Sequence, residues 1–83
     1  MIPDNITHQN ILNAIVRVDN EGIPPHRNAR DWAVLHNRTH YPCKLLISWA
    51  NAFANGQELD HKLFNASEAR PYLTARKFTV VPI

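Results

Sequence analysis

The hydrophobic periods along this 83-residue chain predict a small α+β domain running α-β-β-α-α-β, with three helices packed on a small, mainly antiparallel sheet. Three observations carry that expectation. Helical spacing recurs at Ile11, Ala14, Ile15 and Val18 and again at Leu46, Trp49, Ala50 and Phe53. A two-residue alternation occupies "DWAVLH". Pro24-Pro25, Pro42 and Pro82 fall where these segments end. The same order is compatible with a winged-helix-like arrangement.

The first helix has start and stop signals. Thr7 is an N-cap residue, with Ile6 and Ile11 at the two positions of a hydrophobic staple. Gly22 suits the left-handed position past the helix end, with Ile23 as its apolar partner. Pro24-Pro25 block continuation, so the helix is expected over about residues 8–21. "PPHRNAR" is a proline-led loop. Alternation in "DWAVLH" then puts Trp32, Val34 and His36 on one side and Ala33 and Leu35 on the other. "NR" serves as a two-residue turn, although Arg38 is a poor choice for the positive φ that such a turn prefers. "THYP" returns as a second strand ended by Pro42. From Cys43 the period is helical, and Leu46, Trp49, Ala50 and Phe53 are expected in the core, with Asn55-Gly56 as the stop. "QELDHKLF" is a connector with room for a helical turn. Asn65 and Glu68 have capping-box spacing and open a helix to about Ala75, which Pro71 shortens or kinks. "KFTVVPI" is a last strand, and Pro82 puts it at a sheet edge or at its own end.

Length allows one domain over residues 1–83, its core spanning about 6–82, and leaves little room for a deep substrate pocket. Net charge is +2, but it is unevenly spread. Residues 26–44 hold Arg27, Arg30, Arg38 and Lys44 against Asp31 alone, a net +3, and the remainder holds five bases against six acids. A single cysteine forms no internal disulfide, which fits a reducing, cytoplasmic setting. "MIPDNITHQN" lacks the basic and apolar regions of a signal peptide, and no apolar run approaches the ~18 residues of a membrane span. The apolar end "TVVPI" is what a piece of a longer protein would show.

Several stretches together resemble a known family: "ILNAIVRVDNEGIPP", "HYPCK", "LISWANAFANGQEL", "LFNASEARPYL" and "KFTVV". They look like the N-terminal head domain of McrA-type, modification-dependent (type IV, HNH) restriction endonucleases, over about residues 8–81. That pattern has a helix ending Asp-x-x-Gly-x-Pro-Pro, a Tyr-Pro-Pro-Lys hairpin exit, a Gly-x-x-Leu connector, a Phe-Gly-Gly helix start and a Gly-Phe strand. The resemblance implies a place in restriction–modification or phage defence, beside a reader of modified DNA and a separate HNH nuclease domain. No HNH motif is present, so nuclease chemistry is not implied for this chain. Cys43 stands where the second proline is usual, and Arg38 where the hairpin has glycine. Asn65-Ala66 replace the paired glycines, and Lys77 the glycine before Phe78.

The cluster "HNRTHYPCK" invites a metal or thiol reading. Zinc needs three or four converging ligands. A two-residue turn would pair His36 with Thr39 and Leu35 with His40, sending the two histidines to opposite faces of the ribbon, so no metal or other cofactor is expected. Cys43 at a helix start beside Lys44 has the setting of a reactive thiol, but the stronger expectation is a small residue in the slot where the family-like pattern has proline. A +3 segment by itself is usually a solvated face, and it is the resemblance that makes phosphate contact an equal expectation. The candidate nucleic-acid-binding residues are Arg27, Arg30, Arg38 and Lys44, with His26 and His40. Trp32 and Tyr41 offer stacking surfaces, but Tyr41 would lie across from Val34, and core or sheet-face packing is the stronger expectation for both. The expected function is a non-catalytic DNA-binding or DNA-sensing module whose partner is double-stranded DNA, plain or modified. The alternative is a protein–protein module that docks on other domains of a parent nuclease or on a copy of itself. Neither reading involves a membrane.

Overall fold

The computed structural model describes all residues, 1–83, as three α-helices and a three-stranded antiparallel sheet in the predicted order. Helix α1 spans His8–Glu21. Its Thr7 cap and Asn10 bond reciprocally, each side chain taking the other's backbone N–H, while Ile6 and Ile11 staple the entry within the core. The buried face is Ile11, Ala14, Ile15 and Val18, as the spacing requires. The exit differs from expectation. Gly22 has φ 81° and ψ −179°, a region open only to glycine, but it is not the left-handed one. Ile23 accordingly lies outside the core, with 37% of its surface exposed.

Strands β1 (Trp32–His36) and β2 (Thr39–Pro42) form the hairpin in the expected register, with Val34 opposite Tyr41, Leu35 opposite His40 and His36 opposite Thr39. Asn37 and Arg38 both have positive φ, 49° and 65°, so the turn is of type I′ despite the arginine. Strand β3 (Thr79–Pro82) adds to the other side of β1, giving the order β2-β1-β3 with Pro82 on an edge strand. Val34 and Tyr41 enter the core from this sheet, joined by the partly buried Val80.

Helix α2 (Cys43–Asn55) lies at the centre. Every residue from Leu45 to Asn51 is buried, because α1, the sheet and the following connector cover it on successive sides. The connector is held by a reciprocal pair: Leu59 N–H donates to the Ser48 carbonyl, and the Ser48 hydroxyl donates to the Leu59 carbonyl. Gly56, left-handed at φ 88°, ends the helix. Phe53 corrects the expected core stripe. It is 49% exposed, since it lies past the stretch that α1 and the connector cover, and it shares a shallow groove with Val16. Fully buried Leu45, Leu46 and Ile47 contribute about 1.5–3 kcal/mol each.

After a short 3₁₀ turn at His61–Leu63, helix α3 runs Ala66–Ala75, opened by the reciprocal Asn65–Glu68 capping box. It continues through Pro71, whose ring removes the donor for the Ser67 carbonyl, and that carbonyl sits on an exposed wall. Arg76 ties the N-terminal segment to α3 by donating to the carbonyls of Asp4, Ile6 and Tyr72. No helix is long and apolar enough to cross a membrane.

A basic cleft as candidate nucleic-acid interface

The proline-led loop is shaped by a turn. Arg27 N–H donates to the Pro24 carbonyl at 3.2 Å, with Pro25 at the second position and His26 at the third, where its φ is 63°. That is the type II arrangement, and it sends His26 and Arg27 back toward the molecule. Farther on, the Ile83 N–H bonds the Asp31 carbonyl and holds the loop's end against β3. Trp32 then begins β1, and Pro42 ends β2 at the same end of the hairpin. The starts of α2 and α3 and the 3₁₀ turn complete the enclosure. The result is a cleft of about 550 Å³.

Six basic side chains line it: His26, Arg27, Arg30, Lys44, His61 and Arg70. Asp31 is the only carboxylate among them, leaving four permanent cations against one acid, a net +3. Four of the sequence candidates, His26, Arg27, Arg30 and Lys44, therefore converge. Arg38 and His40 do not join them. Arg38 is at the hairpin tip, about 13 Å of strand from Trp32 at ~3.3 Å per residue. His40 sits opposite Leu35, on the sheet face away from Val34. Arg70 and His61 were not legible as partners of this group. They lie in the part of the chain with no net basic charge, and only the packing of the 3₁₀ turn and of α3 against α2 brings them in.

The arginines of the chain divide into two kinds. Arg17 pairs with Glu21 at 3.2 Å and Glu58 at 3.1 Å and stacks on Trp49, forming both ion pairs in the protein. Arg76 is committed to three backbone carbonyls. The cleft arginines have no such partners. Nη2 of Arg27 is buried without any hydrogen bond, the only buried side-chain donor or acceptor left so. Arg30 makes no ion pair, and Arg70 lays its guanidinium over the Trp32 ring at 4.7 Å, which leaves its edge N–H groups free. Lys44 is partly engaged, donating to the His61 carbonyl at 2.7 Å, with its ammonium 5.1 Å from the Phe64 ring. Pro42 gives α2 no side-chain cap, and the Asn65 side chain takes only the Glu68 N–H of α3. Both helix starts thus add N–H dipoles of the sign that favours an anion.

The other reactive-looking residues are occupied elsewhere. Cys43 is free but buried, and burial pushes its thiol up despite the nearby Arg70, so the nucleophilic thiolate is disfavoured. Tyr41 is buried too and donates its hydroxyl to Asp19 at 2.6 Å, which removes it as a stacking surface. Trp32 keeps 38% of its surface exposed at the cleft. His36 lies against Phe78 on the face opposite His40, and no cluster of three or more His, Cys, Asp or Glu side chains is arranged to hold a metal ion. No protein-family model, curated protein or solved structure matches the chain.

Proposed function

We propose that this domain is a non-catalytic DNA-binding or DNA-sensing module, resembling the head domain of a modification-dependent restriction endonuclease, that contacts double-stranded DNA through phosphates. The observation that carries the reading is the cleft in which four permanent cations, three of them arginines without a protein acceptor, face one carboxylate. Phosphate recognition needs positioned cations that have not already been neutralised, and base identity plays no part in that term. The resemblance gains support from backbone geometry. Arg38 and Lys77 stand where the family-like pattern has glycine, and both have positive φ, 65° and 75°.

A salt titration of binding to plain duplex tests this. If the four cleft cations each neutralise a phosphate, log K falls against log salt with a slope of about −3.6, and the double variant Arg27→Ala/Arg30→Ala reduces that slope by about 2 for any sequence. Failure of unmodified, methylated, hydroxymethylated and phosphorothioated duplexes alike to give a salt-dependent shift would sink the reading. A second reading, docking on another domain or on a copy of the chain, rests on the exposed Val16 and Phe53 in the α1–α2 groove. Concentration-dependent association lost in Phe53→Ser would favour it.

A further inference from the structure

A duplex presents internal phosphates along an open ridge, and exposed cations on a convex face are enough to meet them. The cations proposed to meet a duplex here also line an indentation of about 550 Å³, within the range of small-ligand sites, so they offer more than a flat contact face. Charge sharpens the point. An internal phosphodiester carries one negative charge, whereas a phosphomonoester has its second ionisation near pH 6 and approaches two. A net +3 lining with three arginines favours the monoester, which also offers one more oxygen to fork-shaped donors.

Arg27 is the group best placed to respond. Its buried Nη2 breaks no hydrogen bond when the guanidinium turns toward an anion in the cleft, so binding supplies an acceptor that the protein itself does not. Trp32 adds a second kind of contact. Arg70 lies over its ring and positions both groups on one wall, so a phosphate at Arg70 places the attached nucleoside beside an exposed indole.

We propose that the cleft is a pocket for a nucleotide bearing a terminal phosphate, with the phosphomonoester held by Arg27, Arg30 and Arg70 and the base against Trp32. In its strand-end form this rests on the DNA-binding reading. A free nucleoside monophosphate presents the same chemistry without it.

The test uses the full chain and fluorescence anisotropy with a short labelled duplex of one sequence, its free ends carrying either phosphate or hydroxyl. Covalently closed circular DNA, a nucleoside monophosphate and inorganic phosphate serve as competitors. The phosphorylated duplex should bind about tenfold tighter than the hydroxyl form. The nucleoside monophosphate should compete better than inorganic phosphate, and Trp32→Ala should erase that last difference. Arg70→Gln, which keeps the side chain's length while removing its charge, should reduce the preference for phosphate ends. Thermal unfolding checks that each variant is folded. Equal binding of phosphorylated, hydroxyl and circular DNA overturns the pocket and leaves the DNA reading intact. Binding of the monophosphate without any DNA supports the pocket and removes the DNA reading. Binding of none of these probes overturns both.

Discussion

Lys77→Gly should stabilise the domain, although it deletes a whole charged side chain. The end of α3 is closed by two hydrogen bonds, Phe78 N–H to the Leu73 carbonyl at 3.1 Å and Lys77 N–H to the Thr74 carbonyl at 3.0 Å. Together they make a Schellman motif, with the accompanying apolar contact supplied by buried Leu73 and Phe78. Such a motif requires a left-handed residue at the position Lys77 holds, and its φ is 75°. A Cβ there costs about 1–2 kcal/mol, and replacing it by glycine gives back about 0.5–1 kcal/mol in unfolded-chain freedom. Lys77 is exposed and its ammonium is in no ion pair, so little else is lost.

The net gain is about 1 kcal/mol, equivalent to a rise in Tm of about 4–8 °C for a domain of this size. Urea unfolding followed by circular dichroism reads it directly as a higher midpoint at unchanged slope. A midpoint that stays put or falls would refute the assignment of strain to this backbone. Arg38→Gly, at φ 65° in the hairpin turn, should behave alike. Because Arg38 is remote from the cleft, that variant should also leave the salt slope of binding by the cleft unchanged.

Two further predictions concern the core and its buried acids. Burial raises Tyr41, Tyr72 and Cys43 above their ordinary values near 10, 10 and 9, and Asp19 raises Tyr41 further. Their neutral forms therefore stabilise the fold fully below those ordinary values, and that stability is lost as pH rises through the raised ones. The urea midpoint should fall above about pH 9, and Tyr41→Phe should lose about 1–2 kcal/mol at neutral pH while flattening part of the alkaline decline. Leu46→Ala should cost about 2–5 kcal/mol, whereas Phe53→Ser stays within about 0.5 kcal/mol, and similar losses at the two sites would contradict the exposed position of Phe53.

Most of the fold was legible because its signals are local. The Thr7 and Asn65 caps, the proline stops and the register Val34–Tyr41 follow from spacings of a few residues. Phe53 was misplaced because helical periodicity defines a face without saying how far along it the cover extends. Gly22 was placed in the wrong region because a glycine announces positive φ but not ψ. The cleft was half legible. Its loop cations stand together in the sequence, whereas Arg70 depends on long-range packing, and Arg38 was grouped with them through sequence proximity alone.

A net charge of +2 understates the field at the cleft, because of the seven carboxylates only Asp31 lines it and most of the others serve other parts of the fold. Glu21 and Glu58 pair with Arg17, and Asp19 accepts from the Tyr41 hydroxyl. Asp60 caps the 3₁₀ turn through the Lys62 N–H, and Glu68 completes the Asn65 capping box. Each of these contacts fixes an element whose place matters to the site. Arg17 joins α1 to the connector and Tyr41 joins the hairpin to α1, while Asp60 and Glu68 order the approach to α3, which carries Arg70. The carboxylates thus brace the fold away from the cleft, and among the residues lining it Asp31 is the only acid beside the cations. An anion entering there would displace no ion pair of the fold, which supports the proposal that the cleft receives a phosphate.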